Sequence, residues 1–291
     1  MSHKVLVFGE MLWDCLPEGD VPGGASMNVA LHLHHLGFDS HLISAVGDDI
    51  LGEKLLNHYR SFGAADDLIQ INEYPTSRVI VDNTDIENVK YDILSPAAWD
   101  FVKSSDTLQD SVKSSDALVF GTLGVRHSQS LQTLLELLPH AKLRIFDANL
   151  RPPYYDFEVI EKLLGMTEVL KINEDELVAF EDYFDIKPNP ESICQFMSHH
   201  FPVKTICITL GSKGAMVFHQ GELFQDAGFQ VKVKDTIGAG DAFLSGFVKS
   251  YLEKKPIPET LEFACKLGAF VASQQGGSPN YKLSDLEKIS R

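Results

Sequence analysis

The chain has 291 residues, 44% hydrophobic and 23% charged, which is the composition of a globular protein with a large core. The formal net charge of −16 argues against a nucleic-acid-binding surface, because phosphate backbones select basic patches, but it does not exclude a nucleotide. No apolar stretch reaches the roughly 18 residues of a membrane span, and the first apolar run is too short for a secretory signal. We therefore expect a cytoplasmic protein with neither a membrane nor a nucleic-acid partner.

The cysteines of the chain are far apart and form no C-x-x-C pair. They are Cys15, Cys194, Cys207 and Cys265. In a cytoplasmic chain this usage is typical of reduced, mostly buried thiols rather than of a disulfide framework.

Short apolar runs with the composition of β-strands recur between segments that have a helical pattern. The runs are 5–8, 41–46, 117–120, 144–146, 169–172 and 205–209. Their continuous apolarity indicates strands that are covered on both faces. Segments 28–36 and 50–62 have amphipathic spacing and end at Gly37 and Gly63, where a C-terminal cap is expected. The alternation of strand and helix predicts an α/β fold with a central, mostly parallel sheet.

Two regions lack this alternation and predict a small β lid over the main domain. Residues 15–22 are rich in turn residues. Residues 69–95 contain two strand-like segments, 77–81 and 89–93, joined by a polar turn at 82–85. The edges of such a lid would be exposed β structure, so we expect a homodimer in which two lids pair.

The C-terminal third of the chain begins with strand-like sequence at 204–233. Two helical segments follow, at 241–252 and 259–274. No long linker or internal repeat divides the chain, so we expect a single domain over residues 1–291.

Segment 235–241, Asp-Thr-Ile-Gly-Ala-Gly-Asp, indicates a glycine turn that begins a helix. Gly238 and Gly240 let the backbone turn tightly and approach a ligand, because they have no Cβ atom. The amides of residues 238–241 would lie at the positive end of the helix, which is an anion site. Asp241 could take a proton from an alcohol while these amides stabilise a transferring phosphoryl group. The same residues also suit a plain helix cap, and the segment alone does not separate the two interpretations.

Segment 235–241 resembles the C-terminal signature of the PfkB, or ribokinase-like, carbohydrate kinase family. Segment 23–30, Gly-Gly-Ala-Ser-Met-Asn-Val-Ala, is similar to the N-terminal signature of that family. Further family motifs match in order at 47–52, 147–151, 173–176 and 209–214. The ordered set covers nearly the whole chain. The resemblance implies a three-layer ribokinase-like α/β fold and an ATP-dependent sugar kinase.

The resemblance also implies a role for each matching residue around the reacting groups. Gly238, Ala239 and Gly240 would form the anion hole for the transferred phosphate, and Asp241 would be the catalytic base. The sugar would be bound by Asp14, Gly23, Gly24, Asn28 and Arg151.

Three of these sugar ligands have a simpler interpretation when each is considered alone. Asn28 would cap a helix, Asp14 would be an exposed loop acid, and Arg151 would be half of a surface ion pair. A carboxylate at Asp14 nevertheless suits a polyol, since it can accept hydrogen bonds from two neighbouring hydroxyls.

On the nucleotide side, the resemblance implies a turn beneath the phosphates and ribose of ATP. That turn would contain Thr209, Gly211 and Gly214. The helix at 259–274, which includes Cys265, would flank the adenine.

Two cation sites are implied as well. Asn173 and Glu176 would act on Mg²⁺ largely through water, which agrees with the preference of Mg²⁺ for oxygen ligands and retained waters. Asn173 also suits the cap of a helix at 174–180, and the two roles are compatible. Asp235 would bind a monovalent cation such as K⁺.

The form of the signatures bears on the sugar. Segment 24–31 is closer to the fructokinase form than to the ribokinase form, and 121–126 also resembles fructokinases. We therefore expect fructose 6-phosphate as the product, with another ketose, 2-keto-3-deoxygluconate or a ribonucleoside as alternative substrates. Ser26 stands where proline is common, and Gly276-Gly277 stands where Gly-Ala is usual.

Other classes of protein fit less well. A nicotinamide-dependent oxidoreductase needs G-x-G-x-x-G after an early strand, which 9–13 does not supply and which 238–243 fails at the third glycine. A P-loop kinase needs a Walker A sequence, which is absent. Asp241 and its intact glycines argue against a catalytically silent sugar sensor.

The sequence also contains a dense histidine cluster, His32, His34 and His35. His32 and His35 share one helical face, but no acid or cysteine completes a metal-ligand set at a recognisable spacing. We therefore expect a solvent-exposed helix face rather than a metal site.

Overall fold

A computed structural model describes residues 2–16, 19–82, 90–186 and 189–291 of the chain. Within these residues thirteen strands form two sheets. The strands are β1 Lys4–Phe8, β2 Leu12–Leu16, β3 Gly19–Gly23, β4 Asp39–Gly47, β5 Ile69–Asn72, β6 Arg78–Asp82, β7 Lys90–Ile93, β8 Ala117–Gly121, β9 Arg144–Asp147, β10 Val169–Asn173, β11 Thr205–Thr209, β12 Ala215–His219 and β13 Glu222–Asp226.

The larger sheet has nine strands in the order β13-β12-β11-β10-β9-β8-β1-β4-β5. All neighbours from β5 to β11 are parallel, whereas β12 and β13 add an antiparallel edge. In β1, Val5, Leu6, Val7 and Phe8 are all fully buried, because helices cover both faces of the sheet. The central, mostly parallel sheet predicted from the sequence is confirmed.

Nine α-helices within the described residues cover this sheet. They are α1 Ala25–His35, α2 Ile50–Ser61, α3 Asp106–Ser114, α4 Ser128–Leu137, α5 Phe157–Leu164, α6 Glu174–Tyr183, α7 Pro190–His200, α8 Ala239–Leu252 and α9 Ile257–Ala272. Val5 and Val7 pack with α1, α2, α8 and α9, whereas Leu6 and Phe8 pack with α3 to α7. Successive strand residues point to opposite faces, so the sheet is the middle of three layers, as predicted. Across the described ranges, no helix combines the length and the apolarity needed to cross a membrane.

The second sheet is small and has four strands in the order β3-β2-β6-β7. β6 and β7 form an antiparallel hairpin in which Val79 lies opposite Ile93. β2 joins this hairpin through a parallel pairing with β6. Residues 17–18 and 83–89, which include most of the predicted turn at 82–85, lie outside the described residues.

The structure places the bounds of the small sheet differently from the predicted lid at 15–22 and 69–95. The sheet begins earlier, at Leu12. The segment Ile69–Asn72 is β5 and pairs in parallel with β4 at the edge of the larger sheet. Alternation of apolar and polar residues identifies a strand, but it does not identify the sheet that the strand joins.

The carboxyl ends of the parallel strands meet at a cavity of about 880 Å³. Lys171 and Asn173 of β10 and Thr209 of β11 line it from the larger sheet, and Val79 and Ile93 line it from the small sheet. In α/β sheets, ligands bind outside the carboxyl ends of the strands. The cavity therefore lies where the functional site of an α/β protein is expected.

Candidate active site

The glycine turn before α8 forms one end of the cavity. Gly238 has φ +75°, a left-handed conformation that strains any residue with a side chain, and a Cβ atom there would overlap the backbone of Gly277. The Asp235 carboxylate closes the turn by accepting hydrogen bonds from the amides of Ile237 (2.9 Å) and Gly276 (3.0 Å). Gly238 is then the N-cap of α8.

Two amides in the first turn of α8 are open. The amide of Ala239 donates to the carbonyl of Thr236 (3.3 Å), and Ala242 donates the first helical bond to Gly238 (2.8 Å). The amides of the two intervening residues, Gly240 and Asp241, have no carbonyl partner within the described ranges. Both residues line the cavity. Because a helix N-terminus carries positive potential, these amides form an anion site.

Asp241 supplies a buried carboxyl group beside this anion site. It is 9% exposed, and the side-chain amide of Asn28 donates to its Oδ2 atom at 2.9 Å. Burial raises the pKa of Asp241 to about 6; the Asp147 carboxylate adds to this rise, and the bond from Asn28 opposes it. The carboxylate is therefore ionised at neutral pH, and its pKa is close enough to neutrality for it to act as a general base.

A buried ion pair beneath the anion site was not anticipated from the sequence. Lys171 donates to Asp147 at 2.8 Å, and the two side chains are 5% and 8% exposed. Burial alone would lower the pKa of Lys171, but the carboxylates of Asp147 and Glu176 outweigh it and raise the pKa. The ammonium lies 3.4 Å from the position that a Cβ atom on Gly240 would take, so it adds positive charge to the anion site. The sequence feature that could have indicated this ion pair is the single lysine within the apolar strand Val169–Asn173.

One side of the cavity, next to the small sheet, contains the residues predicted to bind sugar. Asp14, Gly24, Asn28 and Arg151 line it. Burial raises the pKa of Asp14 to about 6, and the nearby Arg151 guanidinium opposes the rise. Gly23 stands behind Asp14, since a Cβ atom on Gly23 would overlap the Asp14 carboxylate. An apolar wall completes this side, formed by Leu12, Val79, Ile93 and Leu123.

Asn28 does not cap α1, which corrects the simpler interpretation of this residue. The helix begins at Ala25, with Gly24 (φ +108°) as its N-cap, so Asn28 lies inside the helix. Its side chain is 3% exposed and donates to Asp241. Its Oδ1 atom has no hydrogen-bond partner among the described residues, so an acceptor is left over beside the cavity.

Glu10 occupies the N-terminus of α1, and it is the second site residue that sequence reasoning missed. Its carboxyl group is 2% exposed and accepts hydrogen bonds from the amide (3.3 Å) and the hydroxyl (3.1 Å) of Ser26. Burial raises the pKa of Glu10, although these bonds oppose the rise. A proline at position 26 could donate neither bond, so the two hydrogen bonds to Glu10 depend on the serine at this position.

The opposite side of the cavity, next to α9, contains Thr209, Gly211, Gly214 and Cys265. Gly214 has φ +88°, and a Cβ atom there would overlap the backbone of residues 226–228, so the turn requires glycine. Val233 and Ile237, which are 57% and 44% exposed, add apolar surface. This side therefore combines a close backbone turn with apolar side chains.

Asn173 and Glu176 form a capping box at the start of α6. The Asn173 side chain accepts from the amide of Glu176 (2.8 Å), and the Glu176 carboxylate accepts from the amides of Asn173 (2.9 Å) and Leu150 (2.7 Å). Glu176 is 3% exposed and lies behind the cavity wall, whereas Asn173, Glu174 and Asp175 line the cavity. Because backbone amides engage both Glu176 oxygens, these residues fit a hydrated Mg²⁺ rather than direct coordination by Glu176. The described residues contain no cluster of three or more His, Cys, Asp or Glu arranged to hold a metal ion.

The structure thus brings all but three of the predicted site residues to the cavity wall. Gly23, Glu176 and Asp235 stand directly behind it, and each supports a part of the wall: the Asp14 carboxylate, the start of α6 and the turn before α8, respectively. The two sides meet at α8, because Asn28 bonds to Asp241 while Gly268 of α9 packs against the Ala239 carbonyl.

His32 contradicts the expectation that the histidines of α1 face solvent. It is fully buried, and its ring bonds to the Gly277 carbonyl (2.9 Å) and the Tyr281 hydroxyl (3.1 Å). His34 and His35 are half-buried. The C-terminal segment that contains Gly277 and Tyr281 packs on α1, and helical spacing alone does not show such a contact.

Comparison with known proteins agrees with this architecture. A crystal structure of a fructokinase with bound ATP from Xylella fastidiosa has a TM-score of 0.86, covering 99% of this chain and 98% of that chain at 20% identity. The fructokinase of Escherichia coli is 26% identical over 95% of this chain and 95% of its own length. The ATP-dependent 6-phosphofructokinase of Thermoanaerobacterium thermosaccharolyticum is 27% identical over 99% of this chain and 93% of its own length.

The structural likeness shows the fold: the chain has the three-layer ribokinase-like α/β fold, as predicted. The model of the pfkB family carbohydrate kinases matches residues 18–282, which is most of the chain. The protein therefore belongs to the PfkB family of carbohydrate kinases and is a sugar kinase, as its ordered motifs predict. A nicotinamide-dependent oxidoreductase is no longer a competing interpretation.

Proposed function

We propose that this sugar kinase transfers the γ-phosphate of ATP to the primary hydroxyl of fructose, producing fructose 6-phosphate and ADP. The proposal depends above all on Asp241, a buried carboxyl group with a pKa of about 6 beside open amides at the N-terminus of α8. A base next to an anion site is what phosphoryl transfer to an alcohol requires. The E. coli relative named fructokinase supports fructose as the acceptor.

The two substrates take opposite sides of the cavity, with the start of α8 between them. Next to the small sheet, the Oδ1 atom of Asn28 and the carboxylate of Asp14 accept hydrogen bonds from sugar hydroxyls, with Arg151 close to Asp14. Next to α9, the turn at 209–214 holds the phosphates and ribose of ATP. Cys265 on α9 flanks the adenine.

Asp241 accepts the proton of the attacking hydroxyl as the new O–P bond forms. The bond between the γ-phosphorus and the β–γ bridging oxygen breaks at the same time, and ADP leaves. The amides of Gly240 and Asp241 and the ammonium of Lys171 stabilise the negative charge on the transferred group. Gly238 and Ala239 shape the turn that presents these donors.

Mg²⁺ is the proposed divalent cation and, when bound, neutralises charge on the ATP phosphates. Asn173, which lines the cavity, would hold the hydrated ion, and Glu176 fixes Asn173 from behind. The monovalent-cation site at Asp235 stays a prediction. Both Asp235 oxygens accept an amide hydrogen bond, and potassium dependence of kcat is its test.

The charges on the sugar side favour a neutral sugar. Glu10, Asp14 and Asp241 are carboxyl groups. The cations that the described residues place near them are Arg151 and Lys171, and Lys171 is already paired with Asp147. A phosphorylated sugar would bring further negative charge next to these carboxyl groups, so we propose fructose rather than a sugar phosphate as the acceptor. The alternatives are another ketose, a ribonucleoside, and 2-keto-3-deoxygluconate, whose carboxylate could pair with Arg151.

ATP consumption across a panel of ketoses, aldoses, sugar acids, sugar phosphates and nucleosides tests the substrate. We expect fructose to give the largest kcat/KM and fructose 6-phosphate to give no turnover above background. Turnover confined to nucleosides would overturn the assignment of fructose and leave the kinase assignment intact. No turnover with any acceptor would overturn phosphoryl transfer itself.

We propose in addition that the small sheet is a lid that closes over the sugar and excludes water. We also propose that the protein is a cytoplasmic homodimer in which two lids pair. Ile80 and Val21 on the small sheet are 58% and 39% exposed, which supports the pairing. The four cysteines are free, which agrees with a reducing compartment. A single monomeric species in sedimentation at micromolar concentration would contradict the dimer.

A further inference from the structure

The segment that follows α9 forms the back of the anion site. A Cβ atom on Gly238 would overlap the backbone of Gly277, and a Cβ atom on Gly277 would lie 2.7 Å from the side-chain amide of Asn28. The position of Gly277 therefore limits two groups at once. One is Gly238, whose conformation orients the open amides, and the other is Asn28, which bonds to Asp241.

His32 holds Gly277 in that position. It lies one helical turn after Asn28 on α1, is fully buried, and contacts the Gly277 carbonyl through Nε2 at 2.9 Å. A carbonyl can only accept, so Nε2 must carry the hydrogen atom. Nδ1 of the neutral ring is then an acceptor, and the Tyr281 hydroxyl at 3.1 Å must donate to it. The result is a directed chain of hydrogen bonds from Tyr281 through His32 to Gly277.

The imidazole in this chain is neutral. Burial lowers the pKa of His32 to about 4; the bond to Gly277 opposes this shift, and the neighbouring His35 adds to it. Burial raises the pKa of Tyr281, so its hydroxyl keeps its hydrogen atom. His32 is therefore a fixed donor near neutral pH, rather than a carrier of protons.

We infer that His32 is a positioning residue for phosphoryl transfer, because its Nε2–H bond keeps Gly277 packed against Gly238 and Asn28. Loss of that bond lets the turn before α8 shift away from the transferred phosphate and from Asp241. The inference rests on the proposed function, since it takes the anion site as the place of the transferred phosphate. It differs from a purely structural role, which would lower stability and leave the kcat of the folded molecules unchanged.

Two substitutions at the same position test the inference. His32→Leu fills a similar volume without a donor, whereas His32→Gln carries an amide N–H that reaches the position of Nε2. We expect His32→Leu to lower kcat by about 10- to 100-fold, with the sugar KM within about twofold of the wild type. His32→Gln should recover most of this loss. His34→Leu, on the same helix and without a bond to Gly277, is the matched control and should keep the wild-type kcat.

A wild-type kcat in His32→Leu, or a kcat in His32→Gln as low as in His32→Leu, would overturn the inference. If His32→Leu does not fold, Tyr281→Phe gives the same test through the loss of one oxygen atom, with an expected fall in kcat of about threefold. A Tyr281→Phe enzyme with unchanged kcat would then count against it.

Nitrogen-15 NMR of the histidine rings gives a readout that does not depend on turnover. We expect the Nε2–H tautomer at His32, without titration between about pH 5 and 8. An Nδ1–H tautomer would overturn the inference even in an active enzyme. Conversely, a wild-type protein that phosphorylates no acceptor would contradict the proposed function, whereas NMR would still show the Nε2–H tautomer of His32.

Discussion

Two helices, α1 and α8, begin at the cavity, and their N-termini differ in what occupies them. Both follow a glycine with positive φ, +108° at Gly24 and +75° at Gly238. At α1, the buried carboxyl group of Glu10 accepts hydrogen bonds from the amide and the hydroxyl of Ser26. At α8, within the described residues, the amides of the second and third residues have no such partner.

In the proposed function, this difference assigns one helix end to each substrate. A helix end that already holds a protein carboxyl group has no room for a phosphate, so α1 offers the side chain of Asn28 to an uncharged ligand. The open end of α8 keeps its positive potential and is the end proposed to receive the anion. The proposed division between sugar and phosphate therefore depends on Glu10 as much as on the open amides of α8.

The largest expected effect is the loss of the base at α8. Asp241→Asn should lower kcat by about 1,000-fold, because the amide cannot accept the proton of the sugar hydroxyl. Fructose affinity, measured by calorimetry, should stay within a few-fold of the wild type, since the asparagine can still accept the bond from Asn28. Asp14→Asn, on the α1 side, should instead raise KM for fructose. Near-normal turnover in Asp241→Asn would remove Asp241 as the base.

The two N-cap glycines give a matched pair of substitutions. Gly238→Ala forces a left-handed alanine against Gly277 and should lower kcat by about 100-fold through the displaced amides. Gly24→Ala places a Cβ atom 2.8 Å from the Glu10 carbonyl and should act mainly on the KM for fructose. Steady-state kinetics with each substrate varied in turn separates the two effects. Equal losses of kcat in both variants would show that the two helix ends do not divide the substrates.

The pH dependence follows from Asp241 and Asp14, whose pKa values both lie near 6. If both carboxylates must be ionised, kcat/KM for fructose is at its maximum above about pH 6 and falls with a slope approaching two on a logarithmic scale below it. Asp14→Asn should reduce that slope to one. A midpoint near the ordinary aspartate pKa of 3.8 would show that burial does not tune these groups.

The same pKa values carry a stability cost in the free protein. Both are raised above 3.8, so the contribution of the protonated groups to stability is complete below about pH 4 and is lost as the pH rises through about 6. Thermal unfolding of the ligand-free enzyme should therefore show lower stability at pH 8 than at pH 5 from these two groups. Asp241→Asn should lessen this decline.

The smallest expected effect on turnover comes from Glu10. Glu10→Ala vacates the N-terminus of α1 and should lower the free energy of unfolding by about 1–3 kcal/mol, because the Ser26 amide and hydroxyl lose their partner. Inorganic phosphate should then become a competitive inhibitor with respect to fructose. Glu10→Gln keeps the site filled and is the control, with little change in either measurement. No inhibition by phosphate in Glu10→Ala would count against the comparison of the two helix ends.

The position of the glycines and Asp241 at the start of α8 could be predicted, because it depends on neighbours in the sequence. A left-handed N-cap, an aspartate three residues later and the following helix all lie within one segment. Glu10 and Lys171 could not, since their roles depend on partners from other elements: Ser26 for Glu10 and Asp147 for Lys171. In the sequence, Glu10 follows an apolar strand and Lys171 lies within one. Neither position distinguishes the residue from an ordinary charged residue.

Three expectations differed from the structure for a related reason. Asn28 suited a helix cap, but Gly24 is the N-cap of α1, so Asn28 lies inside the helix and its side chain donates to Asp241. The segment 69–72 suited the small sheet, but it pairs with β4. His32 suited a wet helix face, but the C-terminal segment covers it.

The sequence by itself determined the alternation of strands and helices, the PfkB family and the aspartate at the start of α8. These properties follow from local patterns of apolar residues and glycines and from the order of the motifs, so they can be predicted without knowing any distant contact. Only the tertiary structure decided which helix end is filled and which is open. It also decided which carboxylate pairs with the Lys171 ammonium, and that His32 bonds to the Gly277 carbonyl. Those outcomes depend on which distant groups burial brings within hydrogen-bonding distance, and burial is a property of the packed chain rather than of any segment.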